Sequence, residues 1–168
     1  PHQKAAFFSY TTRQASLSWQ QLHGKELSYN NLLDIEATLD VLAEFSAPTA
    51  CVIKHSNPCG IASDQDLVKA VEYAVDSDPL SAFGGIVGLN RDCDLKTAQK
   101  ILEKLGFFEV LVAPSFKSGA LKALKARKNL RLIQVGDLRD EYPYEFKFLR
   151  SGILVQEKDR PVKEHMAE

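Results

Sequence analysis

The chain has 168 residues, 45% of them hydrophobic and 26% charged, which suits one globular domain with a sizeable core. A net charge of −1 removes the main electrostatic argument for a nucleic-acid binder, and no apolar run approaches the ~20 residues needed to span a bilayer. Three cysteines, Cys51, Cys59 and Cys93, odd in number and without framework spacing, point to free thiols in a reducing compartment; with no signal peptide in view, the expected location is cytoplasmic.

Residues 5–8 form an apolar cluster that reads as a strand, and residues 17–22, around Trp19, read as a second short extended piece. Residues 23–31, HGKELSYNN, are loop-like, with Gly24 and paired asparagines as turn formers. Leu32, Ile35, Leu39, Leu42 and Phe45 then recur at helical spacing, with Asp34, Glu36, Asp40 and Glu44 mostly on the opposite side. Asn30 or Asn31 is the expected N-cap, and Pro48 marks the far boundary.

Residues 50–53, ACVI, have the continuous apolar, partly β-branched character of a strand buried on both faces. Lys54 and His55 arrive where that run ends. Ser56, Asn57 and Pro58 are expected to end the strand, because proline has no amide donor and constrains the residue before it. Gly60 offers a position where a ligand or another stretch of backbone can come close. Further on, Ser63 and Asp66 suggest a weak capping box for a helix carrying Leu67, Val68, Val71, Ala74 and Val75.

The turn containing Gly84 and Gly85 leads to a strand over residues 86–89. A helix over 95–105, a strand over 108–113, a basic helix over 118–125 and an alternating strand over 130–135 follow. This alternation predicts an α/β sandwich with a largely parallel sheet. Residues 142–148 and 152–156 look extended with no helix between them, as an edge or an antiparallel pair. The charged residues 158–168 close a chain that shows no repeat and no clear second domain.

The chemistry available at Lys54 and His55 is a cation beside an imidazole. Histidine can exchange a proton near neutral pH, and lysine can stabilise developing negative charge. On spacing alone, a solvated strand-end lysine beside a histidine that caps a carbonyl is the commoner reading. Pro58–Cys59 resembles half of a zinc-deaminase P-C-x-x-C element, but the second cysteine position is Ala62 and the chain has no H-x-E triplet, so no metal site is expected. The Gly84–Gly85 turn fits neither dinucleotide nor P-loop spacing. Lys122, Lys125, Arg127, Lys128 and Arg131 read as a solvated basic face near a helix end, and Cys59 as a packing or turn residue.

Four stretches in register, GKELSYNNLLDIEATLD, CVIKHSNPCGIA, DPLSAFGGIVGLNR and VLVAPSF, resemble the AICAR formyltransferase (transformylase) part of the bifunctional purine-biosynthesis PurH family. PHQK, NLRLIQV and YEFK extend that resemblance over nearly the whole chain. It implies a cytidine-deaminase-like three-layer α/β/α sandwich with a mostly parallel sheet, forming a single partial transformylase domain over residues 1–168. It also implies formyl transfer from the co-substrate 10-formyltetrahydrofolate to the 5-amino group of 5-aminoimidazole-4-carboxamide ribonucleotide (AICAR), with no metal.

Carried over residue by residue, the family's proton acceptor falls on His55 and its charge-stabilising lysine on Lys54. Nucleotide contacts fall on Asn31, Phe83 and Gly84, and an acidic contact falls on Glu109. The family's Arg-Tyr-Gly stretch before PHQ, its second transformylase half and its IMP cyclohydrolase domain do not fall within these residues. The resemblance therefore implies a homodimer for the intact protein and little activity for these residues alone. A non-catalytic nucleotide-binding module of the same fold is the alternative.

Overall fold

Hydrophobic residues alternate between two faces along each central strand, and that alternation builds the layers. The computed structural model describes residues 19–136 and 144–157, together with Lys4 and Ala6. The extended piece expected at residues 5–8 (Ala6 apart) and the charged tail 158–168 lie outside the described residues. The chain falls into two units, residues 1–138 and 139–168.

The first unit carries β1 (Trp19–His23), α1 (Tyr29–Ala43), β2 (Thr49–Lys54), β3 (Asn57–Ser63), α2 (Leu67–Asp76) and a short α3 (Pro79–Ala82). It continues with β4 (Ile86–Leu89), α4 (Leu95–Lys104), β5 (Val110–Ala113), α5 (Ser118–Leu124) and β6 (Arg131–Val135). The sheet order is β1-β6-β5-β4-β2-β3. Parallel pairing joins β4, β5 and β6 at the centre, and antiparallel pairing adds β1, β2 and β3 outside them. Four strands, β3 to β6, therefore share one direction, and β1 and β2 run against it.

The two faces pack differently. Ala50 and Val52 of β2, Val87 and Leu89 of β4, Leu111 and Ala113 of β5, and Leu132 of β6 pack with α2, α4 and α5 through residues such as Val71, Val75, Ile101 and Leu124. The intervening residues, including Cys51, Ile53, Ile86, Val110, Val112 and Ile133, face α1 through Ile35, Leu39 and Leu42. Helix α1 lies on one face, and α2, α4 and α5, with the short α3, lie on the other, giving the expected three-layer α/β/α sandwich. Burying each of the larger aliphatic side chains contributes about 1.5–3 kcal/mol. Among the described residues no helix is long and apolar enough to cross a membrane.

Three local expectations need correction. β2 does end at Lys54, but the breaker-like residues after it begin a strand of their own, β3, paired antiparallel with β2 from Thr49↔Ser63 to Lys54↔Asn57. Proline is admitted because β3 is an edge strand, where a missing donor leaves no neighbour unsatisfied. The cap of α1 is Ser28, not an asparagine: Ser28 Oγ accepts from the Asn31 amide, and Asn31 Oδ1 accepts from the Ser28 amide at 3.1 Å, a reciprocal capping box. Asp66 itself caps α2 by accepting from the Val68 amide, while the Ser63 hydroxyl meets that of Thr49 at 2.7 Å.

Gly60 serves a close backbone approach. A Cβ there would collide with the carbonyl oxygen of Ala74, so the edge strand is pressed against α2 itself. Gly88, on the opposite face, leaves room for side chains instead: a Cβ there would meet those of Thr38 and, at 3.0 Å, the Cys51 sulfur.

The second unit is an antiparallel pair, β7 (Tyr144–Leu149) and β8 (Gly152–Glu157), forming a sheet of their own.

Candidate functional site

The Lys54–His55 dipeptide sits at the tip of the β2–β3 hairpin, whose loop is only His55 and Ser56. Both residues are left-handed, with φ of 54° and 58°, and they are the only non-glycine residues with positive φ among those described. A two-residue hairpin loop favours this backbone because its twist matches the strands, but Asn-Gly is the usual sequence for it. Histidine and serine at these positions store strain of order 1–3 kcal/mol each.

Asp34, on α1, meets that strain from the other side. Its Oδ1 accepts from the Ser56 amide at 2.7 Å, and its Oδ2 accepts from the His55 amide at 3.2 Å. Ser56 Oγ adds a longer contact of 3.4 Å to the same carboxylate, and Asn57 Nδ2 donates to the His55 carbonyl at 2.8 Å. Among the described residues the His55 ring itself takes no hydrogen bond, and His55 lines a cleft of about 180 Å³.

Three other segments converge on that cleft. The start of α1 contributes Ser28, Asn30, Asn31 and Asp34, the amino end of β4 contributes Gly84 and Ile86, and the residue before β5 is Glu109. Asn31 is 5% exposed, and its Nδ2 donates to Glu109 Oε2 at 2.8 Å. The Arg131 guanidinium approaches the same oxygen at 3.4 Å. Glu109 is fixed along its backbone as well, donating to the Gly85 carbonyl and accepting from the Arg131 amide.

Lys54 Nζ donates to the Phe83 carbonyl at 2.8 Å, which holds the ammonium at the cleft wall. Phe83 is 57% exposed, and its ring tilts against Phe107 at 5.6 Å between centroids. Gly84 has φ of 79°, and its amide donates to the Phe107 carbonyl, a turn that brings bare backbone to the cleft.

Five of the six residues singled out from the sequence, Asn31, Lys54, His55, Gly84 and Glu109, therefore line one cleft, and Phe83 borders it through its carbonyl. The cleft lies at the carboxyl end of β2 but at the amino ends of β4 and β5, because β2 runs against them. Sequence reading missed Asp34 and Arg131. Asp34 looked like one of several acids on the polar side of a helix, and its partners lie 21 and 22 residues away.

The basic run also divides. Arg127 donates to the carbonyls of Leu102 and Leu105 and lies over the Phe108 ring, and Arg131 reaches Glu109, so neither belongs to a solvated face.

The thiols are not activated. Burial pushes Cys51 and Cys93 up to about 12, and it is also the largest cause raising Cys59, with Asp78 and Asp34 adding to the effect and Lys54 opposing it. Near neutral pH these groups stay protonated. The cleft thus offers an open imidazole, a fixed ammonium, a carboxylate and an amide, which together suit deprotonation of an amine next to a developing oxyanion.

The sequence matches the family described as AICARFT/IMPCHase bienzyme over residues 1–168. Similar proteins include the bifunctional purine biosynthesis protein PurH of Thermoanaerobacter sp. (strain X514), 44% identical over 95% of this chain and 31% of that protein. The protein of the same name from Caldicellulosiruptor saccharolyticus is 43% identical over 95% of this chain and 32% of its own length. That from Rhodopirellula baltica is 46% identical over 96% of this chain and 32% of its own. The chain spans about a third of the length of these relatives, and it belongs to the AICARFT/IMPCHase bienzyme family.

Proposed function

We propose that this chain works in purine biosynthesis as the part of AICAR formyltransferase that carries its acid–base pair. In this reading the 5-amino nitrogen of AICAR attacks the formyl carbon of 10-formyltetrahydrofolate. His55 takes the proton from that nitrogen, and Lys54 faces the negative charge that develops on the formyl oxygen. The new C–N bond replaces the bond to folate N10, which leaves with a proton.

The amine is conjugated to a ring bearing a carboxamide and is a weak nucleophile, so removing its proton is the step that most needs help. Base catalysis of this kind supplies roughly 10²–10⁴-fold. Asn31, Glu109, Gly84 and Phe83 would hold the nucleotide. A homodimeric, cytoplasmic full-length protein that completes the folate site outside these residues belongs to the same reading.

The observation that supports it best is the convergence of Lys54, His55, Asn31 and Glu109, from three separated segments, on one cleft. The test is formyl transfer to AICAR by the full-length protein with and without His55→Ala. A fall of about 10²–10⁴-fold in kcat is expected. Unchanged turnover would place the base elsewhere, and AICAR binding with no turnover in either form would favour a nucleotide-binding module.

A further inference from the structure

We propose that Asp34 is the positioning residue of this site: its carboxylate holds the left-handed His55–Ser56 backbone and thereby aims the His55 imidazole into the cleft. The inference rests on the formyltransferase reading for its kinetic consequence but not for its structural one.

Three observations carry it. First, the two loop residues are the only non-glycine residues with positive φ among those described, a region that few non-glycine residues occupy and that serine in particular does not favour. Second, successive amides in this conformation point to one side and form a concave anion site, and the Asp34 carboxylate fills it, one oxygen to each amide. Third, Asp34 stands on the first turns of α1, three residues beyond Asn31, whose side chain is tied to both the helix cap and Glu109. The helix that anchors one wall of the cleft therefore also sets the position of the opposite one.

The interaction is with backbone, so Asp34 would act through geometry and not by exchanging protons with the substrate. Charge-assisted bonds to two amides are among the stronger hydrogen bonds available, enough to offset strained loop residues. Without them the loop relaxes, and a displacement of about 1 Å at the imidazole can cost about 10²-fold in rate.

The experiment compares Asp34→Ala, Asp34→Asn and Asp34→Ala/Ser56→Gly in the full-length protein. It reads steady-state formyl transfer together with hydrogen exchange at the His55 and Ser56 amides. Asp34→Ala should lower kcat about 10²-fold with a smaller change in the KM for AICAR, and both amides should lose protection. Asparagine keeps acceptor capacity for one amide and should fall between. Ser56→Gly removes the side chain that opposes the left-handed backbone and should recover about tenfold of the lost kcat, which a merely structural role for Asp34 would not produce.

Unchanged kcat in Asp34→Ala, or a loss that Ser56→Gly leaves untouched while both amides stay protected, overturns the proposal. If Asp34→Ala does not fold, Asp34→Asn carries the same comparison at one amide. If the parent protein transfers no formyl group, the functional reading fails separately, and exchange at the two amides still decides whether Asp34 holds the loop.

Discussion

The described residues include two hairpins with two-residue loops, and they are built on opposite terms. In the β2–β3 hairpin the strand β2 is buried along nearly its whole length, and the loop is left-handed at both positions. In the β7–β8 hairpin every residue of both strands is exposed, including Phe146, Phe148 and Ile153, and the loop residues Arg150 and Ser151 have ordinary negative φ. A strained backbone persists only where its surroundings over-determine it. β2 has a neighbour strand on each side and helices on both faces, and its loop has Asp34; among the described residues β7 and β8 pair only with each other. The unfavourable loop sequence is found where the fold can hold it.

The sharpest way to break this contrast is to give the first hairpin the loop its backbone prefers. His55→Asn with Ser56→Gly should raise stability by about 1–2 kcal/mol in chemical denaturation, because both new residues tolerate positive φ. The same protein should lose formyl transfer by about 10²–10⁴-fold, as expected when stability and activity compete at one position. Asn-Gly placed at Arg150 and Ser151 should change neither by a comparable amount. If the first exchange left stability unchanged or lowered it, the strain described at His55 and Ser56 would be absent.

A second experiment tests the support beneath the loop. Gly88→Leu would drive a side chain into Thr38, Leu42 and the Cys51 sulfur, where α1 sits on β4. A cost of about 1–3 kcal/mol is expected, read as a lower denaturation midpoint. No loss would mean that α1 does not approach the sheet this closely.

The third concerns the buried thiols and is the smallest near neutral pH. Cys51 and Cys93 are raised by burial to about 12, above the 9.0 of an unperturbed thiol. The folded state therefore holds protons that the unfolded state releases above 9. The stabilisation is complete below pH 9 and falls as pH rises towards 12, by at most about 1.4 kcal/mol per pH unit per thiol. Denaturation midpoints should be level from pH 7 to 8.5 and decline above that, and the decline should shrink in Cys51→Ala.

Most of the layered fold was legible in the sequence because it follows from periodicity: a continuous apolar run at β2, alternation at β6, and helical stripes at α1 and α2. The edge strand β3 was not, because Asn57 and Pro58 look like breakers in every context except an unpaired edge. The cap of α1 was ambiguous for a different reason. Ser28, Asn30 and Asn31 are all competent caps, and only the reciprocal bond with Asn31 selects Ser28. At the site, Lys54 and His55 could be read locally. Asp34 could not, since its role is created by an antiparallel hairpin folding back against a helix, and no local pattern encodes that meeting.

That same arrangement bears on the order in which the molecule is made. The β2–β3 hairpin joins residues close in the chain and can zip within microseconds, but its left-handed loop gains the Asp34 carboxylate only when α1 docks. The Asn31–Glu109 bond then spans 78 residues and closes only when β5 has joined the sheet. During refolding, competence for catalysis should consequently appear with the last long-range contacts and not with the first secondary structure, making the cleft a late reporter of complete folding.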